Sequence, residues 1–241
     1  MSIFLSTSSV VFGNDIIDLN DPDTTEDHLN DRFINKICTE NEKEWFFKQK
    51  DLITLWKIWA IKESSYKVIS RMEFLPTFRY KDFEIQKDFI NTFYKNHQII
   101  NDIYVEPNYI LALSYIDQNL SVFKEDQHFV FVSWLKKGLN LIKDKKIKPS
   151  VEIRKYVEST MEKLFFEKTK IYRKYLHKEN LFLPPYLYFK KRFYPISLSH
   201  HGRFLLFSLA LKKHSIDSIK KFYKDHIIKI SDLHFLITEE N

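Results

Sequence analysis

The stretch Trp59-Ala-Ile-Lys-Glu-Ser-Ser-Tyr-Lys67 sets a carboxylate and an ammonium four residues apart. On a helix, residues i and i+4 lie one above the other, so Glu63 and Lys67 face the same space. Ile58, Ile61, Val68 and Ile69 recur around them at helical spacing as one apolar stripe, which leaves Glu63, Lys67 and Arg71 on another face. Standing alone, such a pair is an ordinary feature of a solvated helix. Two other segments change its meaning: Gly13-Asn-Asp-Ile-Ile-Asp-Leu19 upstream and Ser197-Leu-Ser-His-His-Gly202 near the far end.

Glycine links the three. The chain holds 3 Gly in 241 residues, where average usage gives about 17. Two of them, Gly13 and Gly202, fall in those short segments. Glycine serves positive φ or the close approach of another group to the backbone, so both positions read as required.

Hydrophobic residues make up 44% and charged residues 29%, the balance of a globular chain with a sizeable core, in one large domain or two small ones. The single Cys38 excludes an internal disulfide, and the 9 His show no zinc-type spacing. The opening Met-Ser-Ile-Phe-Leu-Ser lacks a basic start, and no apolar run approaches a membrane span of roughly 18 residues, so a cytoplasmic location is expected. A net charge of +6 favours an anionic partner: nucleic acid, a phosphorylated cofactor or an acidic protein. Lysines interleaved with 22 Phe and 13 Tyr admit base stacking beside phosphate contacts, although aromatics at such positions more commonly build a core.

Residues 9–19 read as a strand ending in acidic, turn-forming Asn20-Asp21-Pro22-Asp23. Thr39 with Glu42 makes a capping box that starts a helix, and Asp51 or Thr54 caps the next one. Strands are expected over 78–85 and 109–116, helices over 129–143 and over 151–176 capped by Ser150, strands over 186–189, 196–198 and 204–211, and a helix over 216–228. Helices followed by strands thus occur twice, and Tyr109-Ile-Leu-Ala-Leu-Ser114 faintly echoes Phe204-Leu-Leu-Phe-Ser-Leu209. The expected fold is α+β, with two similar halves, 1–126 and 127–241, packed as a pseudo-dimer.

Taken together, Gly13-Asn14-Asp15, Trp59 through Lys67 and Ser197 through Gly202 resemble the 4′-phosphopantetheinyl transferase superfamily. Its pattern is a Gly-x-Asp strand, an aromatic-rich helix carrying Lys-Glu-Ala/Ser-x-x-Lys, and a Ser-His segment. Two departures stand out. Surfactin-type two-half members carry a second metal-holding Glu two residues after the Asp, where this chain has Ile17 and then Asp18, closer to the small holo-acyl-carrier-protein synthases. In those small enzymes the Ser-His segment follows the helix at short range, whereas Lys67 and Ser197 are 130 positions apart. Both halves present in reversed order is one description; a long insertion into a single small domain is the other.

The resemblance implies that the phosphopantetheine arm of coenzyme A moves to a serine of an acyl or peptidyl carrier protein, with Mg²⁺ as cofactor and adenosine 3′,5′-bisphosphate released. It further implies metal ligation by Asp15 and Glu63 and phosphate contacts from Lys62 and Lys67. Glu63 is either a ligand or the base for the serine proton. His200 with Ser199 would contact the nucleotide's 3′-phosphate, and Lys190, Lys191 and Arg192 would add positive charge there. Asp18 reads equally as a turn acid or a metal-site residue. His200 and His201, adjacent on a strand, point to opposite faces and do not make a joint metal site. Carrier proteins of this kind are acidic around the serine, and a monomer with neither membrane nor nucleic-acid partner is expected. The alternatives are a basic nucleic-acid-binding protein without enzymatic activity, and a coenzyme A-binding member that does not transfer.

Overall fold

The computed structural model describes residues 10–73, 77–117, 129–138, 148–177, 181–224, 226–229 and 234–239. The chain forms two compact units, one of Phe12–Ile116 and a second drawn chiefly from residue 117 onward.

The first unit opens with strand β1 (Val10–Asp18), followed by helices α1 (Asp31–Ile37), α2 (Glu40–Gln49) and α3 (Leu52–Glu73). Each helix start has a local cause. The Asn30 side chain accepts from Phe33 N at 2.9 Å, and the Asp51 carboxylate accepts from Thr54 N at 2.8 Å. For α2 the capping box is complete, with Glu42 N donating to Thr39 Oγ1 and Thr39 N donating to the Glu42 carboxylate. Strands β2 (Glu84–Ile85), β3 (Asn91–Tyr94), β4 (His97–Glu106) and β5 (Tyr109–Asp117) complete a sheet of order β1-β5-β4-β3-β2. Ile58, Ile61, Val68 and Ile69, the apolar stripe of α3, are fully buried, while Glu63, Lys67 and Arg71 on the other face are only partly so.

The second unit contains β6 (Phe129–Lys137), α4 (Pro149–Phe165), β7 (Lys170–Tyr172), β8 (Tyr175–Leu176), β9 (Leu181–Phe182), β10 (Tyr186–Phe189), β11 (Arg192–Pro195), β12 (Ser197–His201), β13 (Phe204–Lys212), α5 (Ile216–Phe222), β14 (Ile227–Lys229) and β15 (His234–Glu239). Its main sheet runs β12-β13-β6-β15-β14, with β15 parallel to β6, and a smaller sheet runs β11-β10-β7. A three-strand run recurs in the two units, although β1 is an edge strand and β6 pairs on its other side with β15. In the first, β1 lies beside β5 and β5 beside β4; in the second, β6 lies beside β13 and β13 beside β12. The two stretches compared in the sequence fall on β5 and β13. Both units mix helices with sheets, as an α+β fold requires.

Several expectations are corrected. The apolar run from Phe129 forms a strand, not a helix: β6 sits between β13 and β15, and Val130 to Leu135 are all buried, so its pattern is the continuous one of a strand covered on both faces. The rest of that expected helix lies outside the described residues. Helix α4 begins from Lys148 with Pro149 in its first turn rather than at a Ser150 cap. It stops at Phe165 because Phe166 turns left-handed (φ 56°). Residues 80–82 form a 3-10 turn rather than strand, and Ile227 leaves α5 to begin β14. Strands β3, β4, β9, β11 and β15 had no counterpart in the sequence reading, and β7 and β8 are strands at the end of the span expected to be helical. Glycine poverty also shows in the backbone, where Lys50, Phe89, Lys95, Phe166, Lys190 and Lys191 take positive φ. Gly202 (φ 49°) turns the β12–β13 hairpin, whereas Gly13 answers a different need.

Candidate active site

Gly13 lies where α3 crosses β1. A Cβ there would sit 2.2 Å from the Ser64 carbonyl oxygen and 2.7 Å from Lys67 Cβ, so only glycine admits the helix this close. The required close approach is therefore to a helix rather than to a ligand. This contact brings the end of β1 against the polar face of α3. Lys67 Nζ donates to the Asn14 carbonyl at 2.7 Å and to Asp15 Oδ1 at 3.0 Å.

Glu63 has no hydrogen-bond or ion-pair partner among the described residues. Burial, and then the charge of Asp15, push its carboxyl up to about 7, with the Lys67 ammonium pulling the other way. Two carboxylates close enough to repel each other, one of them partly buried and unpartnered, form a hard-oxygen donor set that suits a divalent cation. Mg²⁺ commonly takes one or two protein carboxylates, with substrate phosphates and waters supplying the remainder. Asp15 and Glu63 fit that pattern, although the described residues hold no cluster of three or more His, Cys, Asp or Glu able to bind a metal.

Lys62 departs from the expected role. It is fully buried, and its ammonium donates to the Ile37 carbonyl at 2.7 Å, the Glu42 carboxylate at 2.7 Å and the Tyr80 carbonyl at 3.1 Å. An ammonium has three hydrogens, and these contacts use them. Glu42 in turn accepts from Thr39 N and Ile85 N, so the pair ties α2, α3 and β2 together. Asp18 is a buried turn acid: its carboxylate accepts from Asn20 N at 3.0 Å, and its carbonyl accepts from Thr24 Oγ1.

Tyr80 was missed by the sequence reading. Burial and the nearby charge of Glu63 push its phenol up to about 12, and its ring packs on Trp59 with centroids 4.9 Å apart. Burial foremost, and the Glu42 charge after it, push the buried Cys38 thiol up to about 12, which disfavours its thiolate.

The remaining expected residues belong to the second unit. Ser199 and His200 lie on β12, Ser199 buried and His200 exposed, as strand alternation requires. The Ser199 hydroxyl is buried without a hydrogen-bond partner among the described residues. Lys190 and Lys191 form the tip of the β10–β11 hairpin and Arg192 begins its return strand; all three are exposed, and Lys190 lies 3.4 Å from Glu167.

Among the described residues no helix is long and apolar enough to cross a membrane. Residues 11–114 match the family model of the 4′-phosphopantetheinyl transferase superfamily. The resemblance carried by Gly13–Asp15 and Trp59–Lys67 is thus borne out, over a span that includes the Asp15, Glu63 and Lys67 site and stops before the Ser-His segment. Comparison with curated proteins and with solved structures gives no match.

Proposed function

We propose that this chain, whose residues 11–114 match the family model of the 4′-phosphopantetheinyl transferase superfamily, transfers the phosphopantetheine arm of coenzyme A to a serine of an acyl or peptidyl carrier protein. The observation that carries the reading is the meeting of Asp15, Glu63 and Lys67 where β1 crosses α3.

In this reading the serine oxygen bonds to the β-phosphorus as the bond to the bridging pyrophosphate oxygen breaks, and adenosine 3′,5′-bisphosphate leaves. Asp15 and Glu63 would hold a Mg²⁺ ion, which when bound draws charge from the pyrophosphate. Lys67 supplies a fixed positive charge beside both carboxylates and is the lysine of this segment that remains partly exposed toward a phosphate. Glu63 also suits uptake of the serine proton, since its raised value puts it near neutrality. Ser199, His200, Lys190 and Arg192 are proposed to bind the nucleotide end. The unpartnered Ser199 hydroxyl and the exposure of the other three support this. The two units are proposed to be similar halves, a reading supported by the three-strand run they have in common, β1-β5-β4 in one and β6-β13-β12 in the other. A cytoplasmic monomer completes the proposal.

The test is intact mass spectrometry of apo acyl carrier protein, and of an apo peptidyl carrier domain, incubated with the full chain, coenzyme A and Mg²⁺. The expected result is a gain of one phosphopantetheine with release of adenosine 3′,5′-bisphosphate. Calorimetric binding of coenzyme A with no mass gain on either acceptor would overturn transfer and leave a coenzyme A-binding protein. Metal-independent, salt-sensitive binding to nucleic acid without transfer would favour the non-enzymatic alternative.

A further inference from the structure

The positive excess of the chain is concentrated. Residues 163–192 carry 9 Lys and Arg against 2 acids, while the other 211 residues carry 29 against 30. This segment supplies β7, β10 and the first residue of β11 to the β7-β10-β11 sheet of the second unit. The inner face of that sheet, Leu187, Phe189, Tyr194 and Ile171, packs into the hydrophobic core. The outer face is aromatic. Cross-strand pairing sets Tyr186 beside Tyr172, and Tyr188 between Phe193 and Lys170. Tyr172, Tyr188 and Phe193 pack on one another, with centroids 5.0 to 5.6 Å apart, while Tyr172 and Phe193 remain 46% and 54% exposed. Exposed Lys170 lies on this face opposite Tyr188, and exposed Lys191 stands at the adjoining hairpin tip, whereas Arg192 pairs with the core-facing Phe189.

We propose that the outer face of the β7-β10-β11 sheet, with its aromatic cluster and basic border, docks an acidic protein surface that presents apolar side chains. On the reading given under Proposed function, on which this inference rests, that surface belongs to the carrier bearing the acceptor serine. A second copy of the chain is disfavoured, because two such faces would oppose their surplus positive charge. Single-stranded nucleic acid is disfavoured because the rings lean against one another at 47° to 84° rather than standing apart as stacking platforms. A membrane is disfavoured because the rings lie half-covered on a sheet rather than protruding as a wedge. Aromatic anchors with a charged rim are the composition of a protein-docking patch.

The test compares the full chain with the double variant Tyr172→Ala/Phe193→Ala and, separately, with Lys170→Glu, a surface charge reversal that leaves the core untouched. Transfer is measured while apo acyl carrier protein and coenzyme A are varied in turn. Both variants are expected to raise the KM for the carrier about tenfold or more, with kcat and the KM for coenzyme A unchanged. Binding of wild type and variants to (dT)20 and to phosphatidylserine vesicles is measured in parallel. Transfer with an unchanged carrier KM in Lys170→Glu overturns this inference and leaves the transferase reading standing. Loss of (dT)20 or vesicle binding in the variants, in place of a carrier effect, also overturns it. Absence of transfer by the wild type overturns both.

Discussion

Lys67 Nζ stands 3.0 Å from the Asp15 carboxylate because the helix that carries it rests directly on Gly13. A methyl group at position 13 would meet the Ser64 carbonyl oxygen, so Gly13→Ala pushes α3 and β1 apart. We expect a loss of stability of about 1–3 kcal/mol from the forced shift and a fall in transfer larger than the remaining folded fraction explains. Urea unfolding beside transfer rates measures both.

Lys62 and Lys67 separate by role. Lys62→Met leaves the Glu42 carboxylate buried without its ammonium, and breaking a buried pair in this way costs about 3–5 kcal/mol. The expected outcome is a strong drop in the unfolding midpoint, with kcat per folded molecule little changed. A stable variant with abolished transfer would return Lys62 to the reaction.

His234 makes the second unit sensitive to acid. It is fully buried, its Nε2 lies 2.6 Å from Ser133 Oγ, and burial pushes its imidazole down from 6.5 to about 3. Between these values the unfolded chain binds the proton and the folded chain does not, so stability falls as pH drops below 6.5. The slope for one such group is about 1.4 kcal/mol per pH unit. Denaturant unfolding at pH 7 and pH 5 is expected to show this loss, and His234→Asn to flatten it.

The elements legible in the sequence were those with short-range causes. The Thr39–Glu42 box, the Asp51 cap and the α3 stripe each depend on residues within about one or two helical turns, and all three occur as read. Strand β6 was misread because a strand covered on both faces loses its alternation and its apolar run admits either period. Lys62 was misassigned although helical geometry held the clue: one residue before Glu63 lies about 100° around the axis, toward the buried side. Tyr80 reaches the neighbourhood of Glu63 only through the turn after α3, and no spacing rule links positions 63 and 80. Asn14 takes part through its backbone carbonyl, a contact that no side-chain motif encodes.

The central claim is that the carboxylates of Asp15 and Glu63 beside Lys67 form the reaction centre. Its most direct test is the transfer of phosphopantetheine to apo carrier protein by Glu63→Gln, followed by intact mass, after circular dichroism shows the wild-type fold. The account predicts a rate lower by about 10²–10⁴-fold, the range for losing a group that acts on the reacting atoms. Transfer at the wild-type rate by a folded Glu63→Gln protein would contradict it.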